Sequence, residues 1–186
     1  MDLLQTIKTR RAVRAYSDKH IAQPDIDELI AAAIAAPSAM NMQPWAFAVA
    51  LGKERVATLG ELAKASLLAE LDAYPQLSHM RPTLEDRNFS IFYGAPALIV
   101  IYATGPEAQA AEDCCLAGQN LLLAARACDL GTCWVGLARP WFNKSATKAE
   151  LGLPPAQVAV APIIVGHPAA WPEATDRHAP HVHWIR

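Results

Sequence analysis

The chain has 186 residues, 53% of them apolar and 18% charged, with 16 Lys and Arg against 18 Asp and Glu for a formal net charge of −2. That length suits a single domain spanning residues 1–186 with a real core, and the near-balance of charge leaves no polyanion-binding surface, which excludes nucleic acid as an expected partner. So apolar a composition in a small domain predicts a substantial interface between copies of the chain.

In chain order, Asp2 is placed to cap a short helix carrying Leu3, Leu4 and Ile7 on one face, with Lys8, Arg10 and Arg11 gathered at its end. Cations favour a helix C-terminus, which is the plain reading of those arginines. The order of an acid at position 2 and a basic cluster soon after is wrong for a secretory leader. A second helix starts at Pro24, with Asp25, Asp27 and Glu28 in its first turn. Ile26, Leu29, Ile30, Ala33 and Ile34 keep helical spacing until Pro37 stops it. Trp45 to Leu51 reads as a strand ended by Gly52, and Arg55 to about Leu71 as a helix.

From Asp72 to Asn88 the sequence is polar and irregular, with Pro75 and Pro82. Loops of that length are usually functional or disordered, so residues 72–90 form a candidate lid, with Tyr74, His79, Arg81 and Arg87 as side chains that would meet a substrate. Ala95 to Thr104 reads as a buried strand, about half the ~20 residues a membrane-spanning helix needs. The expectation is therefore a cytoplasmic protein without membrane association. A long helix follows from about Glu107 to Asp129, apolar nearly all round and so expected to be buried on all sides in a central or interfacial position, with Gly131 as its stop. Glu112 and Asp113 read most simply as an acidic first turn. Gly131–Ala138 and Gln157–Gly166 supply two more strands, and the alternation of His181 to Ile185 suggests a last one. Helices interspersed among four or five strands give an α/β or α+β sandwich with one sheet.

Cys114, Cys115, Cys128 and Cys133 contain no CxxC pair and read as mostly buried thiols, with a redox pair between Cys128 and Cys133 left open. His167, His178, His181 and His183 lack tight ligand spacing, and no metal is expected. Trp134 and Trp141 either wall a pocket or pack, and packing is favoured for Trp141.

Phosphate-loop, G-x-G-x-x-G, H-E-x-x-H and G-x-S-x-G devices are all missing from the sequence. What stands out instead is "TRRAVRAY" (Thr9–Tyr16), whose guanidinium forks suit phosphate and carbonyl oxygens. The loop "APSAMNMQPW" (Ala36–Trp45) has more hydrogen-bonding side chains than a connector needs. With "GTCWVG" (Gly131–Gly136) and a late "GHP…R" segment, these motifs run over nearly the whole chain, in an order and spacing that resembles the FMN-dependent nitroreductase family.

The resemblance implies an α+β sandwich with a central mixed, mostly antiparallel sheet flanked by helices. It also implies an intertwined homodimer with two FMN sites at the subunit interface. Arg10, Arg11, Ala12 and Arg14 match the element that contacts the phosphate, ribityl chain and pyrimidine edge, although Ala12 stands where the family usually has serine. Pro37, Ser38, Asn41 and Gln43 match the loop that the partner subunit lays against the flavin. Gly131, Thr132, Trp134, Val135 and Gly136 match the segment facing the reactive edge, and Arg177 a late basic residue of the phosphate site. No side chain is expected to act as a strict general acid: the flavin carries the hydride, with Arg14 and Thr132 tuning it. The implied activity is an NAD(P)H-dependent oxidoreductase reducing nitroaromatics, quinones or similar small two-electron acceptors, donor and acceptor taking turns at one flavin. Other flavin chemistry on the same fold, or a non-catalytic redox module, is the alternative.

Overall fold

The computed structural model describes residues 2–105 and 107–185. Four strands form one antiparallel sheet in the order β1-β2-β4-β3: β1 Trp45–Leu51, β2 Ala97–Ala103, β3 Gly131–Trp134 and β4 Val158–Gly166. β2 and β4 lie at the centre and are buried along almost their whole length, which explains why their sequences run apolar without alternation. Among the described residues, parallel pairing enters only at an isolated bridge between Ala12 and Thr132.

Helices cover both faces. On one, α2 (Gln23–Ile34) and α5 (Ala108–Ala127) pack over Ile99, Ile101, Ile163 and Val165, with α1 (Leu3–Thr9) against α5. On the other, α3 (Lys53–Ala69) and α6 (Arg139–Phe142) cover Leu98, Val100, Tyr102 and Ile164. Successive residues of β2 thus supply the two cores in turn, as the period of a strand requires. Trp141 is buried, 4.8 Å from the Phe142 ring, so packing is its role. α7 (Ser145–Glu150) leads into β4. Asp2 caps α1 by accepting the Gln5 N–H.

Several expectations change. Residues 72–88 are not irregular: 3₁₀ turns at Leu71–Ala73 and Pro75–Met80 lead into α4 (Arg81–Glu85). Leu67, Leu71 and Leu84 form a small core beneath them. The buried Lys64 ammonium donates to the Asp86 and Phe89 carbonyls at 2.8 and 2.7 Å, tying the segment's far end to α3. Arg81 pairs with Asp72 at 2.7 Å.

α5 is not buried all round, since Cys115 and Leu116 are exposed in the single chain. Nor does Gly131 stop it. Asp129 takes the left-handed turn at φ 56°, with Leu130 N–H donating to the Ala125 carbonyl at 2.8 Å and Asp129 N–H to Arg126 at 3.2 Å. That is a Schellman closure made by aspartate. The strand predicted to end at Ala138 ends at Trp134, and a 3₁₀ turn covers Gly136–Ala138. Residues 181–185 form no strand: they lie exposed, with Val182, Trp184 and Ile185 unpacked. No helix among the described residues is long and apolar enough to cross a membrane.

Candidate functional site

The arginine motif leaves α1 in extended backbone, with Arg10 at φ −60°, ψ 130°, and runs alongside the start of β3. Val13 N–H donates to the Thr132 carbonyl at 2.9 Å. This close passage is why residue 131 is glycine: a Cβ there would sit 2.8 Å from Val13 Cγ2 and 2.9 Å from Pro168 Cγ.

Lys8, Arg10, Arg11 and Arg177, together with Ile7 and Thr175, line a cleft of about 320 Å³. No carboxylate forms an ion pair with any of the four cations among the described residues. Partial burial, then Arg11 and Arg177, push the Arg10 pKa below its ordinary value. Cations crowded without an acid form a site that an anion relieves, and guanidinium donors suit phosphate oxygens.

The two outer arginines are already partly engaged. Arg11 donates to the Lys8 and Arg10 carbonyls at 2.8 Å each and to Glu173 at 3.2 Å. It therefore closes the end of α1 and tethers the tail. Arg177 donates to Thr175 Oγ1 at 2.6 Å. Arg126, on α5, holds this arrangement from below. Its guanidinium lies 3.9 Å from the Trp171 ring centroid, and it donates to Thr9 Oγ1 at 3.1 Å and Asp129 Oδ1 at 3.0 Å.

Beyond the cleft, Arg14 is exposed, 5.8 Å from the Tyr93 ring centroid. Cys133 beneath it is buried; burial pushes its thiol pKa up, and Arg14 and Arg10 oppose that rise. Thr132 and Val135 turn their side chains inward, while Trp134 is half-buried and packs against Gly118, where a Cβ would meet its Cζ3 at 3.1 Å. Gly136 stands in the open, and a Cβ there would meet nothing within 4 Å.

The structure thus brings Arg10, Arg11, Ala12, Arg14, Gly131, Thr132 and Arg177 to one end of the molecule. It does not bring the loop of Pro37, Ser38, Asn41 and Gln43 there. That loop folds over the other end of α5: Asp113 Oδ1 and Oδ2 accept the Ala39 N–H at 3.3 and 3.2 Å. Thirteen residues of α5 separate Asp113 from Arg126, a rise of about 20 Å.

The loop's own geometry is unusual. Met40, Asn41 and Gln43 have φ of 50°, 56° and 48°, conformations that cost an L-residue about 1–2 kcal/mol each. Ser38 Oγ accepts the Gln43 N–H at 2.9 Å, and Gln43 Nε2 donates to Asn41 Oδ1 at 3.2 Å. Met40 and Met42 are 94% and 71% exposed.

Sequence reasoning missed Asp113 and Arg126. Asp113 is not in the first turn of α5 but is its sixth residue, 2% exposed. An acid three residues after Ala110 and four before Ala117, within the apolar stripe, was the available signal. Arg126 signals only a local pair with Asp129, because Thr9 and Trp171 lie far away along the chain.

All four cysteines are free, with Cys114 and Cys133 buried and Cys115 and Cys128 exposed, which corrects the expectation of mostly buried thiols and gives no Cys128–Cys133 disulfide. Burial pushes the Cys114 thiol up to about 12. Burial and Glu28 raise the Cys128 thiol, so a thiol reagent at pH 8 is expected to label the exposed Cys115 and Cys128 only slowly, and Cys114 and Cys133 not until the protein unfolds, as peptide mapping would show. Among the described residues no group of His, Cys, Asp and Glu has the arrangement of a metal site.

Comparison with known proteins addresses the family and the fold. A protein of Archaeoglobus fulgidus that carries an NADH dehydrogenase/NAD(P)H nitroreductase name is 31% identical over 189 residues, covering 96% of this chain and 94% of its own. The structure of a nitroreductase with bound FMN from Bacteroides fragilis superposes with a TM-score of 0.85 at 25% identity, over the whole of both chains. An iodotyrosine deiodinase bound to FMN and 3-iodo-L-tyrosine shares the fold, with a TM-score of 0.79 at 21% identity over the whole of both chains. The model of the Nitroreductase family matches residues 7–167, and the chain belongs to that family.

Proposed function

We propose that the protein is an FMN-dependent NAD(P)H oxidoreductase. Its acceptors are nitroaromatics, quinones or similar two-electron acceptors, and donor and acceptor occupy one flavin site in turn. The observation that carries this reading is the cleft of Lys8, Arg10, Arg11 and Arg177, cations without a carboxylate ion pair among the described residues, on a segment that bridges to β3 through Ala12 and Thr132. Its donors match a phosphate dianion, and the adjoining backbone and Trp134 match a flat ring with a polar edge. Bound FMN supplies the hydride chemistry. The chain's part is to hold the phosphate at Arg10 and Arg177, place Arg14 toward the ring edge, and exclude water.

In this reading the protein works as a homodimer, because the loop of Ser38, Asn41 and Gln43 is too far along α5 to reach the arginines of its own chain. The partner's copy of the loop completes each site. Exposed Met40, Met42 and Leu116, and a tail whose Val182, Trp184 and Ile185 stand unpacked, are the surfaces such a dimer would cover. The segment of residues 72–90 would close over the flavin from the other side, with Tyr74 and Arg87 toward the acceptor.

The test is anaerobic mixing of the flavin-loaded protein with NADH and with NADPH, followed by a panel of acceptors. Loss of the flavin absorbance band within seconds and its return on adding a nitroaromatic or quinone is the expected result. A band that neither nucleotide bleaches overturns the reading in favour of a non-catalytic flavin protein. Reoxidation by an iodotyrosine but by no nitro compound or quinone would move the reaction to dehalogenation.

A further inference from the structure

We propose that Asp113 is a positioning residue for the cofactor site, acting through loop 38–43 on the site of the other copy. The proposal rests on the dimeric reading above and adds to it the group that fixes the loop's shape.

Asp113 is a carboxylate buried in the apolar stripe of α5, between Ala110 and Ala117. Its described partners are the Ala39 N–H, shared between both oxygens, and the Gln109 side-chain amide at 3.4 Å. No cation pairs with it among the described ion pairs. A buried carboxylate without a cation is costly to keep, and an ordinary helix packing would be served by alanine here. What the carboxylate does is hold the first turn of a loop in which three non-glycine residues out of four are left-handed. Backbone of that kind persists only where its surroundings over-determine it.

The next residue assists. Cys114 Sγ lies 3.7 Å from the Pro44 carbonyl, on the loop's other root, and Thr104 N–H donates to the same carbonyl at 3.0 Å. The loop is therefore clamped at both ends, at Ala39 by Asp113 and at Pro44 by Cys114 and Thr104. Between the clamps Asn41 and Gln43 present their amides outward. Releasing Ala39 lets Met40 and Asn41 return to right-handed backbone, which swings both amides away from the direction they now share.

Asp113→Asn keeps the size of the side chain but replaces one acceptor oxygen with a donor facing another donor. FMN affinity of the apoprotein, read by quenching of flavin fluorescence, is expected to fall on the order of tenfold, and the visible circular dichroism of the bound flavin to change. Adding Met40→Gly, which accepts φ 50° at no steric cost, is expected to restore most of that affinity. The double variant also keeps the test open where the single one fails to fold. Unchanged affinity and dichroism in Asp113→Asn, or no recovery in the double variant, overturns the positioning role; a lower unfolding temperature alone would mark Asp113 as structural only.

Mixed dimers then separate this proposal from the dimeric reading. One subunit carries Arg10→Ala with Arg14→Ala and the other Asp113→Asn. If Asp113 serves the partner's site, both defects fall on one site, and the mixed dimer retains one site of wild-type affinity. If it serves its own chain's site, neither site is intact and Asp113 does not act across the interface. A protein that binds FMN stoichiometrically as a monomer would instead sink the shared-site reading itself.

Discussion

Arg10→Ala is expected to weaken FMN binding by tenfold to a hundredfold, the worth of about 1.5–3 kcal/mol for hydrogen bonds to a charged group. Arg10 is singled out because it is the least engaged of the cleft's arginines: Arg11 spends its donors on the Lys8, Arg10 and Glu173 carbonyls, and Arg177 donates to Thr175 and to the Asp176 carbonyl. Arg10 is also the cation whose charge its neighbours penalise most visibly, through burial, Arg11 and Arg177. Removing it from the apoprotein relieves repulsion, so the unfolding temperature without FMN should hold steady or rise while affinity drops. Equilibrium dialysis with FMN and with riboflavin is the measurement. Riboflavin lacks the phosphate, and its affinity should be insensitive to the substitution. Equal losses for both ligands would move Arg10 away from the phosphate, and no loss for either would remove it from the site.

Gly131→Ala is expected to destabilise the apoprotein by about 1–3 kcal/mol, the usual result of forcing a methyl group into filled space. Val13 Cγ2 at 2.8 Å, Val13 Cβ at 2.9 Å and Pro168 Cγ at 2.9 Å all occupy the position the new methyl needs. Relief requires the arginine segment to move off β3, breaking the Val13–Thr132 hydrogen bond and carrying Arg10 and Arg14 with it. FMN content should therefore fall together with stability. Urea unfolding and flavin absorbance per chain read the two effects. Gly136→Ala is the steric control for stability, since a Cβ there meets nothing within 4 Å. A Gly131→Ala protein with wild-type unfolding and full flavin content would show that Val13 and Pro168 yield without cost.

Much of this was legible beforehand. The strand at Trp45–Leu51 falls where apolar β-formers lie between a proline and Gly52. The helix at Gln23–Ile34 follows its apolar period and its proline stop. Of the arginine motif, Arg10 and Arg11 line one cleft with the late Arg177, while Arg14 lies outside it. The failures share a cause. Asp113 reads as a first-turn acid, Gly131 as a helix stop and the tail as a strand, because each is judged by its immediate neighbours.

The sequence by itself determined most of the helices and strands and the family resemblance, since periodicity, caps and residue type are local properties of the chain. Only the tertiary structure decided which end of α5 each half of the site occupies and which acid holds loop 38–43. It also decided why residue 131 has no side chain. Those facts depend on contacts between Asp113 and Ala39, between Arg126 and Thr9, and between Gly131, Val13 and Pro168. Such pairs lie up to 118 positions apart, and they meet only when α5 has packed across the sheet and carried its two ends to opposite sides of the molecule.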